Sequence, residues 1–362
     1  MKRESWIDSY RGLLIIFVVM GHVIGGAFHL TQGTVQSFLH YCFLVIYSFH
    51  MPAFFFLAGI LWHLREDEGL GAFALRKARR LIVPYFIFGL LSSIVFCLMS
   101  GSVGSSVDSA ATTSYYAGKC GATFGKCLLG LLQGGGLADG EGFRMNSVLW
   151  FLPCMFSVSI FYWILSKLRL TGLRAIPVVL VCMVCAMAFT KLSVKLPWGL
   201  SRTPNFLIYM ILGAECCPRG GFSVFTSRKP LMVVVVGVLT LAFVGLVCLL
   251  PDPYVIGMNI AWWPVYAAVA SVGCILSACW AQLLPCRGLA VCGTASMGIM
   301  LMHKFPVVFL ELKVRLVREI LGMGIVGALV GSMAVTVVVV FACILANKVV
   351  KRKAPWALGE RA

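Results

Sequence analysis

Residues 12–30 read GLLIIFVVMGHVIGGAFHL, nineteen residues whose only ionisable side chains are two histidines. A helix of about 20 apolar residues crosses the hydrocarbon core of a bilayer. The run has no polar face at either the helical or the strand period, so it suits lipid rather than a surface half washed by water. A barrel strand would alternate apolar and polar residues. A cleaved signal peptide is excluded too: the run is long, no A-x-A site follows it, and more runs of the same kind come after it.

Working outward, the pattern recurs at 42–62, 81–99, 147–166, 175–190, 204–217, 231–250, 260–281, 294–310 and 324–346. The chain of 362 residues is 60% hydrophobic and 12% charged, with a mean hydropathy of +0.95. A soluble domain of that composition would expose large apolar patches. The expected fold class is all-α, a polytopic membrane protein with about ten transmembrane helices. Residues 1–346 form one transmembrane domain, with a long external loop at 100–146 and a short cytoplasmic tail at 347–362. No internal repeat of the kind many transporters carry is visible.

The net charge is +17. In a soluble protein that excess points to nucleic acid; here its distribution points elsewhere. Ten spans put both termini on one side, and twenty of the 30 Lys and Arg then fall on that side, nine on the other and Lys304 within a span. Cytoplasmic loops of membrane proteins are enriched in Lys and Arg. Both termini are therefore expected in the cytoplasm of a bacterium, with the chain in its inner membrane and no nucleic-acid partner. The loop at 100–146 is rich in Gly, Ser, Thr and Ala and reads as a mobile external segment. It holds Cys120 and Cys127, a candidate disulfide on the oxidising side. Cys182 and Cys185 lie within a span with no second pair, so no metal site is expected.

Ionisable residues inside spans are costly and are functional candidates for that reason. Arg11 and His22 stand eleven residues apart, close to three helical turns, so they share a face with a rise of about 16 Å between them. Gly21 and Gly25 form a G-x-x-x-G that lets a helix or ligand approach closely. Asp8, three residues before Arg11, is placed to pair with it. Arg76, Lys77, Arg79 and Arg80 form a cationic cluster directly before the third span. Such a cluster anchors topology, and it also suits phosphate groups. His50, two residues before Pro52, and His303, late in the ninth span, are further candidates. Each is as consistent with a packed structural histidine as with a site.

These residues fall within recognisable motifs. Residues 3–22, RESWIDSYRGLLIIFVVMGH, resemble the opening of the acyltransferase-3 membrane family, with its Asp-x-x-Arg-Gly and Arg-x10-His patterns. FHMPAFFFLAG (49–59) resembles that family's second span, with Ala58 where many members have Ser. RKARRLIVPY (76–85) resembles its Arg-x-x-Arg cluster, LWFLPCMF (149–156) its fourth span, and SMGIMLMH (296–303) its late Ser-to-His segment. The FHMP and LWFLP wording is nearest to the fucose 4-O-acetylase-like branch.

The resemblance implies an enzyme, a membrane O-acyltransferase that takes an acetyl group from acetyl-CoA, a co-substrate rather than a bound cofactor. The acceptor would be a glycan or lipid-linked sugar at the outer face. Under that reading Arg11, Arg76, Lys77, Arg79 and Arg80 hold the CoA phosphates, with the pantetheine arm beside Gly21 and Gly25. His22 is the general base, or a transient acyl carrier, with Asp8 in support. His50 and His303 orient the acceptor. A succinyl donor fits equally well. The rival classes are a small-molecule transporter and an oligosaccharide flippase.

Overall fold

The protein is described here from a computed structural model covering residues 5–29, 31–103, 124–134, 146–216, 229–250, 263–307 and 323–360. Every regular element among them is helical. In chain order these are α1 (Ser5–His29), α2 (Gly33–Ile60), α3 (Leu70–Val103), α4 (Phe124–Leu132) and α5 (Phe151–Lys167). They continue with α6 (Ala175–Lys191), α7 (Thr203–Cys216), α8 (Lys229–Leu249) and α9 (Trp263–Leu283). The last are α10 (Arg287–Thr294), α11 (Ser296–Met302) and α12 (Gly324–Lys353). Eight helical segments are long and apolar enough to cross a membrane, as the hydrophobic runs required. The chain is an all-α polytopic membrane protein.

Two expected spans take another form. The span at 204–217 becomes α7, fourteen residues long, or about 21 Å, short of a ~30 Å hydrocarbon core. It is packed inside the bundle, with Phe206 to Ile211 all buried. The span at 294–310 is discontinuous over its described part: α10 ends at Thr294, α11 starts at Ser296, and the helix is interrupted again at His303, with 304–307 helical after it. Broken helices at membrane depth persist where protein or a cavity satisfies the freed backbone. Here Asn146 Nδ2 donates to the Leu301 carbonyl at 2.9 Å.

α1 and α2 form the centre. α1 packs against α2, α9, α10, α11 and α12, and α2 packs against α1, α7, α8, α9 and α12. Lipid is as apolar as leucine, so helices in a bilayer associate through close packing rather than through the hydrophobic effect. Reciprocal glycines supply that packing twice. A Cβ on Gly12 would lie 1.8 Å from the Leu289 carbonyl oxygen, and one on Gly293 would lie 1.9 Å from that of Asp8. Gly59 meets the Met210 carbonyl and Gly213 that of Phe56 in the same manner, so α7 seats on α2. α6 and α8 are peripheral: Leu180, Val181 and Val184 on one, and Val234, Val238 and Leu241 on the other, are exposed toward lipid.

Other boundaries shift for identifiable reasons. α2 begins at Gly33, nine residues before the expected start, because the mixed stretch 33–41 stacks His40 and Phe43 along one helical face. α3 begins at Leu70, so the cationic cluster is not in a loop but on a helix already under way; Arg and Lys are good helix formers. Within the expected loop at 100–146, residues 124–132 are helical. α4 docks on α3, where the Tyr85 hydroxyl donates to the Leu131 carbonyl at 2.6 Å. The amide of Trp198, whose backbone has φ 58°, donates to Gln133 at 2.9 Å. Cys120 lies outside the described residues, and with it the candidate disulfide.

Candidate functional site

His22, His50 and His303 come from three distant parts of the sequence and meet beside one another. The His22 and His303 rings are 5.4 Å apart between centroids. Tyr47 bridges to the third: its hydroxyl lies 3.2 Å from His22 Nδ1, and its ring stands edge-on to His50 at 4.7 Å. His50 and His303 are 2% and 0% exposed, whereas His22 is only half-buried.

Each ring is oriented by a neighbour. His50 Nδ1 lies 2.8 Å from the Ile46 carbonyl, and His303 Nδ1 lies 2.9 Å from that of Ile299. A carbonyl only accepts, so both Nδ1 atoms carry the proton and both Nε2 atoms of the neutral rings hold a lone pair. His22 is different. Its Nδ1 has the Lys304 ammonium at 3.4 Å as well as the Tyr47 hydroxyl. An ammonium only donates, so this Nδ1 accepts and Nε2–H is the protonated nitrogen of the neutral ring.

The glycine motif of α1 faces protein. A Cβ on Gly21 would lie 2.9 Å from the Tyr47 ring, and one on Gly25 would lie 3.2 Å from Phe43. The aromatic face of α2 thus occupies the bare surface expected to admit a pantetheine arm, and that placement is withdrawn. The stacked Phe43 and Tyr47 rings, 3.9 Å apart, close it.

Arg11 and His22 keep their shared face. α10 packs on the turn that carries Asp8 and Gly12, and the end of α11 reaches the His22 turn. One discontinuous element therefore covers both ends of that face. Asp8 is buried and pairs with Arg11 at 3.6 Å. It does not join His22, from which fourteen residues of helix, a rise of about 21 Å, separate it.

The cationic cluster divides. Arg76 forms a two-pronged pair with Glu68, Nε to Oε1 at 2.8 Å and Nη2 to Oε2. That pair holds the Glu68 carboxyl below its usual range. Lys77 lies over the Trp62 and Phe73 rings, at 5.9 and 5.7 Å. Arg79 and Arg80 are exposed, with no acidic partner among the described residues. Of the four cations, these two are open to an outside anion.

Sequence reasoning missed Tyr47, Lys304 and Asn146. Lys304 carried a signal, a lysine inside an apolar run. Tyr47 sits three residues from His50, on the same helical face, among so many aromatics that it did not stand out. Asn146 borders a loop and shows its value only in space, by holding the broken helix.

The fold and the site together define an integral-membrane helical bundle with three histidines clustered in its interior and a basic patch on one of its helices. The sequence profile of an acyltransferase domain, acyltransferase-3, matches residues 4–347. The chain belongs to that family. It is also similar to the nodulation protein NolL of Mesorhizobium japonicum, 31% identical over 109 residues, which cover 27% of this chain and 28% of that relative. The chain thus spans little more than a quarter of that relative's length. No solved structure matches.

Proposed function

We propose that this protein transfers an acetyl group from cytoplasmic acetyl-CoA directly to a hydroxyl of a cell-surface glycan or its lipid-linked precursor. The observation that carries the reading is the meeting of His22, His50 and His303 within a bundle of an acyltransferase family. Acyl transfer to a hydroxyl needs a group that moves a proton near neutral pH, and imidazole is the side chain suited to it. The buried His303, with an unpartnered Nε2, and the buried His50 beside a less buried His22 supply that chemistry.

At the other end Arg79 and Arg80 take the donor's phosphates by charge-assisted hydrogen bonds. Arg11, oriented by Asp8, stands between that end and His22 along α1 and guides the donor inward. The acyl carbonyl then reaches His22, the least buried histidine of the three. The basic end faces the cytoplasm, where acetyl-CoA is made, and this agrees with the excess of Lys and Arg on that side.

Proteoliposomes given acetyl-labelled acetyl-CoA and extracted bacterial lipid-linked sugars test the proposal. The expected result is free CoA together with label in the sugar fraction. Label that stays in acetyl-CoA, or that crosses the bilayer intact, overturns it in favour of a transport role.

A further inference from the structure

Ten buried side-chain atoms have no hydrogen-bond partner among the described residues, and three of them gather around α11: Nε2 of His303, Oδ1 of Asn146 and Oδ1 of Asn347. Their places in the fold are tied to that short helix. Asn146 holds the Leu301 carbonyl through Nδ2, which identifies the other atom of its amide as the oxygen. Asn347 Oδ1 lies against the other end of the helix, 2.1 Å from where a Cβ on Gly298 would be. His303 follows the last residue of α11, its Nδ1 proton given to Ile299. Gly298 and His303 are five residues apart, about 7.5 Å of helix.

All three atoms are acceptors. A buried acceptor without a donor costs on the order of 1–3 kcal/mol, and native interiors keep few of them. Three around two turns of helix form a set complementary to a ligand rich in O–H donors. An acyl chain and a thioester carry no such donors, and the pantetheine arm of CoA carries one hydroxyl and two well-separated amide N–H groups; a carbohydrate carries several hydroxyls side by side. The same site brings His303 beside His22, and the two rings are in opposite protonation patterns. His303 presents a lone pair at Nε2. His22, with Lys304 and Tyr47 at Nδ1, presents N–H.

We propose that α11 and its flanks are the seat of the acceptor sugar and that His303 takes the proton of the reacting hydroxyl, while His22 donates through Nε2–H to the thioester carbonyl oxygen. This deepens the acyltransfer reading and rests on it. The hydroxyl oxygen bonds to the carbonyl carbon as its proton moves to His303 Nε2. The negative charge that develops on the carbonyl oxygen is met by His22. The carbon–sulfur bond then breaks, and the imidazolium of His303 returns the proton to the departing sulfur. Ester and free thiol result, and both histidines end as they began. The Asn146 and Asn347 oxygens accept from neighbouring hydroxyls of the same sugar. A protonated His22 Nε2 makes the ring a donor rather than the base that its place on α1 suggests.

The test uses the full chain in proteoliposomes with acetyl-CoA and two probe acceptors, an alkyl glycoside and the n-alkanol of the same chain length. Wild type should acylate the glycoside with the higher kcat/KM. His303→Gln should lower kcat on the glycoside by about 100-fold or more, with the KM for acetyl-CoA unchanged, as loss of a proton acceptor requires. Asn347→Leu should lower the ratio of glycoside to alkanol kcat/KM by about tenfold, the worth of one buried hydrogen bond. His303→Asn guards against misfolding, and CoA binding is measured on every preparation. Wild-type kcat in both His303 variants, or an unchanged ratio in Asn347→Leu, overturns the inference. The underlying reading fails differently: wild type then releases no CoA with either probe.

Discussion

The cationic cluster on α3 and the histidine cluster against α1 respond to their charges and polar atoms in opposite ways. On α3 the protein answers its own cations: Arg76 closes on Glu68, and Lys77 lies over Trp62 and Phe73. Around α11 it leaves His303 Nε2 and two asparagine oxygens unanswered. The difference follows cost. Near water a pair forms cheaply and contributes less than about 1 kcal/mol. Inside the bundle an unpaired acceptor is expensive. Other buried polar atoms of the bundle are also bare, but those around α11 gather beside His22, and it is that gathering, not the neat ion pair, on which the proposed site rests.

That contrast is most exposed to failure at His22. His22→Ala should abolish transfer, by about 100-fold or more in kcat, while purified protein still binds CoA by calorimetry. Full activity would remove the histidine cluster from the chemistry. Next in size is the scaffold that sets the two regions on one face. Gly293→Ala would drive a methyl into the Asp8 carbonyl and part α10 from α1. A loss of at least about 1–3 kcal/mol should appear as a lower Tm in detergent, with activity falling alongside. An unchanged Tm would mean that the glycine contact is dispensable.

A smaller effect separates the cations from one another. Arg79→Ala and Arg80→Ala should each raise the KM for acetyl-CoA about tenfold, as loss of a charge-assisted hydrogen bond predicts. Arg76→Ala should leave that KM alone. A KM that rises only in Arg76→Ala would invert the division of the cluster.

The smallest is the Glu68–Arg76 pair itself. Its carboxyl is held below the usual range by the Arg76 hydrogen bonds. A depressed folded value stabilises the fold above the unfolded carboxylate pKa of about 4.3. That contribution is lost as pH falls through the lowered folded value. Glu68→Gln should therefore cost less than about 1 kcal/mol at neutral pH, and the gap between variant and wild-type Tm should close in acid. A gap that widens in acid would contradict the sign.

Much of this contrast was legible in the sequence, though unevenly. Apolar runs reveal spans because lipid demands them residue by residue, and eight came through as long helices. The runs at 204–217 and 294–310 were legible as apolar but not as short or broken, since burial inside protein and burial in lipid select the same side chains. Arg11, His22, His50 and His303 stood out because an ionisable group in an apolar run is conspicuous. Their meeting did not, because it depends on how α10 and α11 fold back along α1. The fate of Gly21 and Gly25 was undecidable from spacing: a G-x-x-x-G admits whichever neighbour arrives, and here it is Tyr47 and Phe43. The four cations looked equivalent until Glu68, eight residues upstream of Arg76, claimed one of them.

The central claim is that His22 and His303 act side by side on one reaction, His22 at the thioester carbonyl and His303 at the sugar hydroxyl. A cryo-EM structure of the full chain with a non-hydrolysable acetyl-CoA analogue tests it most directly. The account predicts the carbonyl mimic within hydrogen-bond reach of His22 Nε2, the phosphates at Arg79 and Arg80, and His303 Nε2 open toward the acyl carbon. An acyl end held elsewhere in the bundle, with the two rings still packed against each other and untouched, would contradict it.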